Sequence, residues 1–119
     1  MNKPVFEKYK GKESNFQKSF ARYLDALGVL WYHPPNGGSR HKLEAVNLKR
    51  DGVKAGVPDV CICEARKGFH GFYIELKVAY NTPTAHQLKF MERLESNGYK
   101  IAITKSLDEA IHLIDEYLK

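Results

Sequence analysis

The chain has 119 residues, 43% of them hydrophobic and 28% charged, with a formal net charge of +5. That length suits one domain, burying roughly two-thirds of its unfolded surface and needing no metal or disulfide staples. No apolar run approaches the ~20 residues of a membrane span, and Lys3, Glu7 and Lys8 interrupt any signal-peptide pattern, so the expected setting is the cytoplasm, with no membrane partner.

Residues 1–11 read as a loose basic N-terminal arm and 12–119 as the domain. A first helix is predicted to begin near 12–15, where Ser14 and Gln17 fit a capping box. Phe16, Phe20, Tyr23, Leu24 and Leu27 recur at helical spacing and should face the core, and Gly28 is a natural stop. Residues 29–32 read as a short strand, and the prolines and glycines of 33–39 as a loop. A short basic helix is expected over 40–51, ending at Gly52. A second loop through Gly56, Val57 and Pro58 then delivers Asp59.

Residues 60–63 and 71–77 read as two strands, with 64–70 as a hairpin connection containing Gly68. Thr84 and Gln87 form a second capping-box pattern, and the helix behind it should turn Leu88, Met91 and Leu94 inward before Asn97 and Gly98. A strand over 99–104 follows. Ser106 caps a last helix whose core face is Leu107, Ala110, Ile111, Ile114 and Leu118. The order α-β-α-β-β-α-β-α predicts an α/β fold, a mixed central β-sheet flanked by helices.

Strand alternation places Tyr73, Glu75 and Lys77 on one face and Phe72, Ile74 and Leu76 on the other. Pairing with the strand at 59–63 can bring Asp59 beside Glu75 and Lys77. Charged residues inside an otherwise apolar strand are costly unless paired or bound to metal. Mg²⁺ prefers oxygen ligands and takes only one or two carboxylates, which Asp59 and Glu75 could supply together with the backbone carbonyl of Leu76. Such an ion polarises a phosphate and lowers the pKa of water, while Lys77 could orient that water or stabilise charge building on the phosphate. The set suits phosphodiester hydrolysis; the bland alternative is an exposed Glu75–Lys77 pair on an edge strand.

The charge is unevenly spread. Segment 40–54 sets Arg40, Lys42, Lys49, Arg50 and Lys54 against Glu44 and Asp51, and the first twelve residues set Lys3, Lys8, Lys10 and Lys12 against Glu7. Basic strips on a near-neutral body suit a phosphate backbone; an ordinary solvated surface is the alternative. Cys61 and Cys63 sit awkwardly for a disulfide, lack the second pair a zinc site needs, and are expected as buried small apolar residues. The five histidines, His33, His41, His70, His86 and His112, do not form a spaced metal set.

Taken in order, Gly56-Val57-Pro58-Asp59, Tyr73-Ile74-Glu75-Leu76-Lys77 and Gln87 resemble the VRR-Nuc (virus-type replication-repair nuclease) family, a branch of the PD-(D/E)xK nucleases. Residues 36–40, 48–56 and 94–99 extend the likeness, which runs from about Glu13 to Leu118. The resemblance implies a restriction-endonuclease-like core, metal binding by Asp59, Glu75 and the Leu76 carbonyl, and a catalytic role for Lys77. It places Gln87 near the site, positioning water or phosphate, although Gln87 also reads as the plain capping partner of Thr84. Glu13 is similar to the first-helix acidic residue that often completes such metal sites; a simple helix-dipole contact is the alternative. Gln17 belongs to the same corner or caps Ser14.

Asn36 and Arg40 look like DNA-contacting or site-edge residues, with loop capping and surface charge as the alternative; the histidines are taken as incidental, His41 being the DNA-neighbour candidate among them. Lys42, Lys49, Arg50 and Lys54 suit phosphate contact better than base reading. By this resemblance the chain is a structure-specific DNA endonuclease using Mg²⁺, with Mn²⁺ able to substitute. Small stand-alone members of the family resemble Holliday-junction resolvases in size and in working as homodimers, so the resemblance implies a homodimer on branched DNA, in a bacterial or phage-infected cell. The rivals are a general or restriction-like nuclease without branch preference, and a nucleic-acid-binding module that does not cleave. Tyr23, Trp31 and Tyr32 are candidate core or interface aromatics.

Overall fold

The computed structural model describes residues 13–35, 46, 47, 49–78 and 80–119, with the backbone alone for Glu13 and Ser14. The basic arm lies outside the described residues. Helix α1 (Glu13–Leu27) buries Phe16, Phe20 and Leu24, one residue per turn along a single stripe. It opens at Glu13, so Ser14 lies in its first turn and not at the expected N-cap. Leu27, expected inside, is exposed: the chain turns at Gly28 and buries Val29 in its place.

Four strands form one sheet in the order β1 (Trp31–Tyr32), β2 (Val60–Ile62), β3 (Phe72–Leu76), β4 (Lys100–Thr104). The first two pairings are antiparallel and β3 pairs parallel with β4, so the sheet is mixed as expected. Between β2 and β3, Lys67 and Gly68 both take positive φ, and the Phe69 N–H closes onto the Arg66 carbonyl at 2.8 Å. Two consecutive positive-φ residues match the twist of a tight hairpin. Helix α2 (Ala85–Ser96) makes the parallel crossover, and α3 (Leu107–Leu118) ends the chain.

One face of β3, Phe72, Ile74 and Leu76, is wholly buried against α1 and α3. From α3 come Ala110, Ile114 and Tyr117. The pattern of aliphatic residues did not point to Tyr117. Its ring lies 4.9 Å from that of Phe72, and its hydroxyl donates to the Glu64 carbonyl at 2.6 Å, which lets a polar tip be buried. Tyr23 and Trp31 pack against the core, with Tyr23 donating to Asp115 and Trp31 to Asp25, whereas Tyr32 is exposed.

The other face of β3 carries Tyr73, Glu75 and Lys77, beneath α2. Here the expected inward residue Leu88 is 51% exposed. The residue one turn before buried Met91 is Gln87, and it is Gln87 that reaches the sheet; a 100° rotation then carries Leu88 outward. Cys61 is buried, but Cys63 is exposed just past the end of β2, contrary to expectation.

The loop before Asp59 is pressed against the start of α2. Gly56 has φ +87°, and a Cβ there would lie 2.7 Å from the His86 carbonyl oxygen. Gly68 has a similar φ of +85° with nothing within 4 Å. Gly56→Ala should therefore destabilise by about 2–4 kcal/mol, combining backbone strain with a backbone clash, while Gly68→Ala costs about 1 kcal/mol from strain alone. Urea denaturation of both variants measures the difference; equal losses would show that the loop gives way freely.

Candidate active site

The strand register assembles the site. Val60 pairs with Ile74 and Ile62 with Phe72, so the next steps set Asp59 opposite Glu75 and Pro58 opposite Leu76. Gly71 and Lys77 bond toward β4, which turns the N–H and C=O of Phe72, Ile74 and Leu76 toward β2. At the last of these, Pro58 has no N–H for the Leu76 carbonyl. The Leu76 N–H, in turn, donates to Asp59 Oδ2 at 2.8 Å. A proline at position 58 thus ends the ladder and leaves a carboxylate beside a carbonyl that it cannot serve.

Glu75 is only 1% exposed and Lys77 8%. Lys77 Nζ lies 3.2 Å from Glu75 Oε2, and Gln87 Nε2 donates to the same oxygen at 2.8 Å. The pair is therefore buried, which excludes the edge-strand surface pair. The Gln87 amide also accepts from the Thr84 N–H at 2.8 Å, while Thr84 Oγ1 accepts from the Gln87 N–H. The Gln87 oxygen caps the helix while its nitrogen reaches the Glu75 carboxylate, so the cap and a place beside the site are held at once. Each partner demands the same amide orientation, since a backbone N–H only donates and a carboxylate only accepts.

Glu75 Oε1 is buried with no hydrogen-bond partner among the described residues. Leaving such an oxygen dry and unpartnered costs on the order of 1–3 kcal/mol or more. Burial raises the Glu75 pKa to about 7, the nearby Asp59 charge pushes the same way, and Lys77 partly opposes them. Two carboxylates, an adjacent carbonyl and an oxygen lacking a donor fit a hard divalent cation, which needs few protein ligands beside water. Among the described residues no group of three or more His, Cys, Asp or Glu side chains could hold a metal. Asp59, Glu75 and the Leu76 carbonyl are thus the donors on which a cation would rest.

The remaining expected residues divide. Lys49, Arg50 and Lys54 are exposed on the segment leading to Asp59, and the helical turn there ends at Gly52 as expected. Asn36, Arg40, His41 and Lys42, and the Glu13 side chain, lie outside the described residues. Gln17 has a buried Oε1 without a partner among the described residues. His33, set aside with the other histidines, lies against the backbone of Asp59. The signal that could have singled it out is the proline that follows it.

A mixed sheet carrying Pro-Asp on one strand and Glu-x-Lys on the next has the PD-(D/E)xK, restriction-endonuclease-like core. Solved structures similar to it include two VRR_NUC chains. A chain described as a VRR_NUC domain protein is 30% identical, with 89% of this chain and 87% of that one covered and a TM-score of 0.75. Another, described as a VRR_NUC domain, is 26% identical over 89% of this chain and 97% of its own, with a TM-score of 0.61. No family model and no curated protein sequence matches. The chain belongs to the VRR-Nuc family.

The elevated Glu75 pKa makes a stability prediction for metal-free protein. The folded state holds this proton more tightly than the unfolded chain does. The resulting stabilisation is full below the ordinary glutamate range and is lost as pH rises through about 7. In chelator-treated buffer, the Tm of the wild type should fall more between about pH 5 and about pH 8 than that of Glu75→Gln, which cannot ionise. Parallel Tm profiles would mean that Glu75 titrates as in the unfolded chain.

Proposed function

We propose that this chain is a divalent-metal-dependent DNA endonuclease that hydrolyses phosphodiester bonds with a preference for branched, junction-like substrates. The observation that carries this is the buried Glu75 carboxylate, with one oxygen lacking a donor among the described residues, set beside Asp59, the Leu76 carbonyl and Lys77. Asp59, Glu75 and Leu76 are the metal-holding groups. A Mg²⁺ or Mn²⁺ ion held there would supply Lewis-acid polarisation of the scissile phosphate and a lowered pKa for a water.

Lys77 supplies positive charge where negative charge builds on the phosphate, in a site dry enough to make that charge effective. Gln87 holds Glu75 in place from the first turn of α2 by bonding its Oε2. DNA as the polyanion is supported by the net charge of +5 and by exposed Lys49, Arg50 and Lys54 on the approach to Asp59. A two-fold homodimer would match a branched substrate of the same symmetry.

The test incubates the protein with sequence-matched four-way junction, flap and linear duplex DNA, with Mg²⁺, Mn²⁺ or chelator. Metal-dependent symmetric nicking of the junction alone is the expected result. Equal cutting of all three removes the branch preference, and binding without cutting removes the enzyme. Lys77→Ala should bind junction DNA in Ca²⁺ within about threefold of wild type yet lose about 10²-fold or more in cleavage rate. Cleavage at the wild-type rate would strip Lys77 of its role.

A further inference from the structure

A second proline interrupts the sheet at the same corner. The β1–β2 register sets Trp31 opposite Ile62 and Tyr32 opposite Cys61, so Pro34 falls opposite Asp59. The Cys63 N–H donates to the Leu30 carbonyl at 2.8 Å. Hydrogen-bonded pairs recur at every second step of an antiparallel ladder, so the next ones fall at Tyr32 with Cys61 and at Pro34 with Asp59. Pro34 has no N–H. The Asp59 carbonyl faces β1 without the donor that any other residue at 34 would give it.

The side chain of the preceding residue fills that role. His33 Nδ1 lies 2.6 Å from the Asp59 carbonyl oxygen. A carbonyl only accepts, so Nδ1 carries a proton in this contact. Asp59 follows Pro58, which gives no N–H to β3 either. Its main chain therefore sits where both neighbouring ladders have lost a donor. The groups that fix it are the Leu76 N–H on its carboxylate and the His33 ring on its carbonyl.

We propose that His33 is a positioning residue: its Nδ1–H replaces the ladder N–H missing at Pro34 and fixes the Asp59 backbone, keeping the Asp59 carboxylate on the Leu76 N–H and beside Glu75. The catalytic consequence rests on the nuclease reading; the structural claim does not. An exposed hydrogen bond of this kind adds little to global stability. Its effect is on geometry, where a shift of about 1 Å in a metal-holding carboxylate is enough to slow a reaction by orders of magnitude.

The test uses the metal-free chain first. Long-range ¹H–¹⁵N spectra of the imidazoles, at a pH where His33 is neutral, should show the Nδ1–H tautomer. His33→Phe keeps a ring without a donor, and His33→Asn restores an N–H near the Nδ1 position. Leu76 amide exchange should speed up about tenfold in His33→Phe and return to near wild type in His33→Asn, with the Ile74 and Ile114 amides unchanged in both. With junction DNA and Mg²⁺, His33→Phe should lose about tenfold or more in kcat with KM nearly unchanged, and His33→Asn should recover most of it.

An Nε2–H tautomer, unchanged Leu76 exchange in His33→Phe, or an Asn variant no better than Phe would each overturn the proposal. A wild type that cuts no DNA with any divalent ion would defeat the nuclease reading. The tautomer and the exchange rates, measured without metal or DNA, would still decide the role of His33.

Discussion

The site is organised around a carboxylate that has been taken almost entirely out of water. Glu75 sits mid-sheet with one oxygen shared by Lys77 and Gln87 and the other without a partner among the described residues. A buried carboxylate must be paired, protonated or bound to metal. Each neighbour answers to that requirement. Lys77 is kept close on the same strand face. Gln87 is brought down by a helix whose first turn it also caps. Gly56 lets the preceding loop reach the start of that helix without a side chain between. The hydrophobic face of the same strand packs on α1 and α3, opposite the polar face that carries these groups.

Two prolines shape the same corner by what they lack. Pro58 ends the β2–β3 ladder at Leu76, and Pro34 ends the β1–β2 ladder at Asp59. Backbone groups near a sheet normally find partners. Here the Leu76 N–H finds the Asp59 carboxylate, and the Asp59 carbonyl finds the His33 ring. An acidic side chain is thereby tied into the sheet where regular pairing stops. The same interruption leaves the Leu76 carbonyl without the N–H that a continued ladder would have given it.

Much of this was legible along the chain because the relevant periods are short. Alternation in 72–77 separated Phe72, Ile74 and Leu76 from Glu75 and Lys77, and the structure keeps that division. Gly28, Gly68 and the Thr84–Gln87 box marked breaks and caps that depend on nearby residues alone. The misses lie where a partner from elsewhere decides. Leu88 and Gln87 are neighbours on α2, and hydrophobicity favours Leu88 as the inward residue. The buried carboxylate below reverses that choice. Cys63 continues the alternation of Cys61, but the strand ends before it. Tyr117 could be buried only because the Glu64 carbonyl, 53 residues away, accepts its hydroxyl proton.

By itself, the sequence determined the element types, the two faces of β3 and the chemical inventory of the site: two carboxylates, a lysine and a carbonyl. Those follow from side-chain period, turn chemistry and proline's missing N–H, all local properties. Only the tertiary structure decided that Glu75 is dry, that Gln87 serves cap and carboxylate together, and that His33 rests on Asp59. Burial and register are properties of segments far apart in the chain. The energetic weight of a charged or polar group depends on how much water those segments leave around it.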